Sequence, residues 1–160
     1  MPWLLPVNAL VHRNDEAVVW VESLAVYPNG FVVNVNIQAD PYVSQQDVMA
    51  RVHSFGRAFP RIGVRFSDGS TGGQGAEPRR SRLDVPKDVD GFPTEPFVGF
   101  SGGGGGGRGW RFGAWIYPLP PNGPVEIFIS MPAAGLEEGK VEVDGGQVRA
   151  AAERARVIWS

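Results

Sequence analysis

Glycine and proline decide most of what this chain can become. There are 22 glycines and 14 prolines among its 160 residues, and they cut it into short pieces. Proline fixes φ and removes a backbone donor, while glycine frees φ. Long helices are thereby disfavoured over most of the length, and an all-β chain with many turns is the expected class. A chain of this length is expected to form one domain, residues 1–160.

Between the interruptions, apolar residues recur with a period of two. Val18, Trp20, Glu22 and Leu24 would share one face of an extended strand, with Val19, Val21 and Ser23 on the other. Tyr27-Pro28-Asn29-Gly30 is a turn signal. After it Phe31, Val33, Val35 and Ile37 alternate with Val32, Asn34, Asn36 and Gln38. This predicts a hairpin with one buried and one mostly polar face.

Further strands are expected at 61–67, 97–100, 110–117, 125–131 and 140–143. Ile62, Val64 and Phe66 would face inward in the first, and Val125, Ile127, Ile129 and Met131 in the fourth. Asp68-Gly69 closes one strand, and Pro118-Leu119-Pro120-Pro121-Asn122-Gly123-Pro124 forms a rigid turn. Residues 44–59 read either as a short helix, with Ser44 as N-cap and Val48, Val52, Phe55 and Phe59 at helical spacing, or as an irregular crossover. Residues 71–96 lack periodicity and are expected to form a long surface loop. Residues 144–156 predict a helix capped by Asp144, with Val148, Ala151, Ala152 and Ala155 inward. Seven short strands and a terminal helix give a mainly β fold, a two-sheet antiparallel β-sandwich that is immunoglobulin-like in the loose sense. Trp20, Phe31, Phe66, Trp115 and Phe128 are candidates to fill its core.

Composition narrows the chemistry by exclusion. With no cysteine there are no disulfides, thiolate metal sites or cysteine nucleophiles. Two histidines, His12 and His53, offer little for a metal site, and neither metal nor cofactor is expected. A net charge of −2 gives no footprint for nucleic acid. Arg79, Arg80 and Arg82 could grip a phosphate, but Glu77, Asp84, Asp88 and Asp90 share their segment and indicate a solvated loop. The opening residues have no basic region followed by an apolar core, and no run of about 18 apolar residues could span a bilayer. A cytoplasmic protein without a membrane partner is the expectation.

Gly102 to Gly107 are six consecutive glycines. A phosphate loop needs a helix N-terminus after it, and here a strand follows, so the tract reads as a flexible hairpin loop. Arg108, Trp110 and Arg111 lie beside it, and with Gly104 and Gly105 they make the candidate binding site. An arginine–aromatic pair can stack on a ligand or anchor an interface, and bare glycine backbone permits close approach. Their plain reading is a core tryptophan flanked by solvated arginines. Glu126 and Glu137-Glu138 are the carboxylates to check for paired acid–base chemistry. His12 stands near Asp15 and Glu16 without a serine nucleophile motif. No catalytic residue is assigned.

The strings Trp115-Ile116-Tyr117-Pro118-Leu119-Pro120-Pro121-Asn122-Gly123-Pro124, Met131-Pro132-Ala133-Ala134-Gly135-Leu136 and Val143-Asp144-Gly145 before an alanine-rich helix and Trp159 resemble a group of small uncharacterised actinobacterial proteins. Tyr27-Pro28-Asn29-Gly30 and Gly63-Val64-Arg65-Phe66-Ser67-Asp68-Gly69 agree with it. The resemblance implies a GC-rich bacterial origin, in keeping with thirteen arginines against two lysines, and no activity. The expected function is a non-catalytic sandwich that binds another protein or itself. A small-ligand or carbohydrate-binding module and a hydrolase using paired carboxylates are the alternatives.

Overall fold

The computed structural model describes residues 1–40, 60–73, 89–90, 95–106, 109–131 and 136–157. Among them are nine strands and one helix: β1 (Trp3–Arg13), β2 (Ala17–Tyr27), β3 (Gly30–Ala39), β4 (Arg61–Arg65), β5 (Thr71–Gly73), β6 (Phe97–Gly106), β7 (Gly109–Tyr117), β8 (Pro124–Met131), β9 (Leu136–Asp144) and the helix Gly145–Arg154. The strands form two antiparallel sheets, ordered β1-β2-β3-β7-β6 and β5-β4-β8-β9. The expected mainly β, two-sheet architecture with a C-terminal helix is therefore present. No described helix is long and apolar enough to cross a membrane.

β-branched residues build the central strands because they fit a pleated, half-buried surface. Val19, Val21, Leu24 and Val26 of β2 are fully buried, as are Phe31 and Val33 of β3 and Ile116 of β7. From the other sheet Ile62, Val64, Val125, Ile127, Ile129 and Met131 meet them. Val148, Ala151 and Ala152 of the helix join the same core. Burying each large side chain contributes roughly 1.5–3 kcal/mol.

The chain changes sheet three times, between β3 and β4, between β5 and β6, and between β7 and β8. Because β3 runs antiparallel to β7 and β4 antiparallel to β8, the first and third crossings lie at opposite ends of the sandwich. The proline-rich segment 118–123 makes the third crossing. It carries a cis peptide at Tyr117–Pro118, and Gly123 has a φ of 112°. Ser67 closes the joint by donating its hydroxyl to the Asn122 carbonyl at 2.7 Å.

Several expectations need correction. A register shift between Val21 and Ser23 leaves Glu22 as a bulge. Val19 and Val21 therefore share the inner face with Leu24 and Val26, and the alternation read from the sequence breaks at Glu22. β1 was not foreseen: Pro6 interrupts it, but an edge strand tolerates a missing donor. Thr71–Gly73 form β5 rather than loop, and Gly72 approaches the Pro96 backbone so closely that a Cβ would lie 2.0 Å from its carbonyl oxygen. Gly102–Gly106 extend β6 and are not a hairpin loop. β9 is longer than the expected 140–143. Phe31 and Phe66 fill the core, whereas Trp20, Trp115 and Phe128 are half-buried on outer faces. The proposed helix at 44–59 and most of the 71–96 segment lie outside the described residues.

Candidate functional site

The glycine tract forms the outer half of β6, at one edge of the five-stranded sheet. Gly102 pairs with Gly113, Gly103 with Phe112, Gly104 with Arg111, Gly105 with Trp110 and Gly106 with Gly109. Glycine has low strand propensity, so β7 supplies the order. A Cβ on Gly103 would lie 2.8 Å from the Arg111 carbonyl oxygen, and one on Gly105 would lie 2.4 Å from that of Gly109. Cβ atoms on Gly102 or Gly104 would meet nothing within 4 Å.

That alternation identifies the hydrogen-bonding phase. In an antiparallel pair, narrow non-hydrogen-bonded positions alternate with wide hydrogen-bonded ones. Gly103 and Gly105 sit at the narrow positions. Their N–H and C=O groups consequently turn away from β7, toward the open side of the sheet.

Strand geometry separates the nominated site residues. Trp110 and Arg111 are consecutive and face opposite ways. On the inner face, Gly105, Trp110, Ile37, Val19 and His12 form one row across the sheet. The Trp110 ring lies against Gly105, with Cδ2 3.1 Å from a Cβ placed there. On the outer face, Gly104, Arg111, Asn36, Trp20 and Leu10 form the neighbouring row. Arg111 is exposed, and Gly104 lies beside it without a side chain. Arg108 lies outside the described residues.

Polar groups in these rows are incompletely satisfied. Asn36 is only 4% exposed, and among the described residues its Nδ2 has no hydrogen-bond partner; nor do the buried Trp110 Nε1 and His12 Nε2. Arg111 stands 3.7 Å from Glu22 Oε1, longer than a hydrogen bond. Beyond this row, the outer face carries Tyr27 and Trp115 in an edge-to-face pair with centroids 5.6 Å apart.

The nominated carboxylates do not assemble an acid–base pair. Glu126, on the outer face of β8, accepts from Arg65 and from Lys140 at 3.1 Å. These cations hold its carboxyl below the ordinary carboxylate range, whereas a general acid needs a raised pKa. Glu137 and Glu138 are exposed on β9, which is an edge strand. No cluster of three or more metal-ligating side chains occurs among the described residues. His53, Arg79, Arg80 and Arg82 lie outside them.

Sequence reasoning found the glycines and their neighbours but missed their geometry. The available signal was the glycine-rich Gly109 and Gly113 on the following strand, which mark a partner able to pair closely. Comparisons with protein families, curated proteins and solved structures find no match to this chain.

Proposed function

We propose that this protein is a non-catalytic interaction module that accepts an extended segment of another protein at the β6 edge. A cytoplasmic bacterial setting, suggested by the composition, belongs to the same proposal. Strand addition draws affinity from backbone hydrogen bonds, and Gly103 and Gly105 offer theirs outward.

The supporting observation is that, among the described residues, β6 alone of the four sheet edges lacks a protective device along its outer half. β1 carries Pro6, two register shifts and Asn8 at a φ of 49°. β9 carries Glu137, Glu138, Lys140 and Glu142. β5 is three residues long. Prolines, bulges, charges and shortness are the usual means of blunting an edge. The β6 tract has an irregularity only at its start, between Phe100 and Gly102. A ligand-stacking site is less well supported, because Trp110 and Arg111 occupy opposite faces.

A displayed library of random extended peptides, panned on the full chain, tests this reading. Enriched peptides should slow amide hydrogen exchange at Gly103 and Gly105. N-methylation of alternate peptide amides should abolish their binding. Failure to enrich any peptide, or protection confined to other strands, would overturn the proposal.

A further inference from the structure

We infer that the added strand is acidic: it places a carboxylate opposite Gly104, where it meets Arg111 across the bare glycine. This inference rests on strand addition at β6 and names the chemistry of the partner. Three observations carry it.

The first is an exposed cation in the outer row that is only loosely paired. The Arg111 side chain is 75% exposed, and among the described residues its ion pair with Glu22, at 3.7 Å, is longer than a hydrogen bond. The guanidinium therefore has donors left for a closer partner, and a carboxylate is the group that it binds with the best geometry.

The second is the open path. A Cβ on Gly104 would meet no described atom within 4 Å, so Gly104 itself leaves the way from Arg111 to a strand laid against β6 clear. Two strand spacings separate Arg111 from that position, about 10 Å between backbones. An arginine and a glutamate reaching toward each other span such a gap.

The third weighs against a second copy as the occupant. Antiparallel pairing of β6 with itself would oppose glycine to glycine and gain no cross-strand side-chain contact. It would also bring a second Arg111 into the same row, adding like charge to a site that already holds an exposed cation. An acidic strand of a different protein supplies both the cross-strand side-chain contact and a carboxylate for Arg111.

The test uses two synthetic strand peptides of alternating valine and threonine, one with a central glutamate and its twin with lysine there. The full chain should bind the glutamate peptide about tenfold more tightly, which corresponds to one additional ion pair at a partly desolvated edge. The preference should shrink as ionic strength rises. Arg111→Gln should remove it, and Arg111→Glu should reverse it.

Equal affinity for the twins would overturn the acidic assignment while leaving strand addition intact. Binding of neither twin would overturn it as well; strand addition is then judged separately by amide protection at Gly103 and Gly105. A concentration-dependent dimer in light scattering, abolished by a side chain at Gly104, would identify a second copy as the occupant and also overturn it.

Discussion

Gly30 shows how closely one residue can be constrained without any unusual backbone angle. It opens β3 directly after the Pro28-Asn29 turn, and a Cβ there would lie 2.5 Å from the Ile116 carbonyl oxygen and within 3 Å of the Trp115 ring. The glycine thus serves interstrand packing, not turn geometry. Gly30→Ala should lower stability by about 1–3 kcal/mol, the usual cost of overpacking, as measured by urea unfolding. Gly104→Ala meets open space and should be neutral or raise stability by about 0.4–1 kcal/mol, since it restricts the unfolded chain. Glu126 makes a second prediction. Its folded pKa is depressed below the ordinary value of 4.5 by Arg65 and Lys140. Its contribution is therefore present above that value and lost as pH falls through the folded pKa. Glu126→Gln should unfold at a lower temperature than the wild type at neutral pH. The difference should close once the pH drops below the folded pKa, and a constant difference would contradict the assignment.

At the scale of elements, the C-terminal helix depends on how its first turn is held. Asp144 has an extended backbone and accepts the Gly146 N–H at 2.8 Å. The Gly145 N–H donates to the Gly123 carbonyl at 2.7 Å, which ties the helix start to the inter-sheet crossing. Asp144→Ala should cost about 1 kcal/mol, a typical loss for an N-cap, and calorimetry would measure it. Asp144 and the helix were legible because capping and periodicity are local. The β2–β3 hairpin was legible for the same reason, since its two faces alternate visibly along β3. The Glu22 bulge was not, because nothing in Val21-Glu22-Ser23 distinguishes a paired residue from an unpaired one. β1 was hidden by Pro6, whose local veto yields where one side of the strand needs no hydrogen bonds. The glycine tract was misread because glycine is a weak strand former by itself, and only pairing with β7 reveals its role. Of the candidate site, the residues were visible but their division between two faces was not.

Across the whole molecule, both sheets and the helix feed one hydrophobic core. The far ends of the described chain also meet, where the Arg156 N–H donates to the Met1 carbonyl at 3.0 Å and Arg154 lies 5.3 Å from the Trp3 ring centroid. Such integration predicts a single cooperative unfolding transition. Tryptophan fluorescence and far-ultraviolet circular dichroism should therefore report one midpoint, and separated midpoints would show that the β6–β7 blade melts on its own. The blade also has an evolutionary consequence. Along an ordinary strand, inserting one residue exchanges inside for outside at every later position. Gly102–Gly106 carry no side chains to exchange, so the gene can gain or lose a glycine codon there and leave the interior untouched. That rim of the sheet can thus change its reach by mutation without placing the rest of the protein at risk.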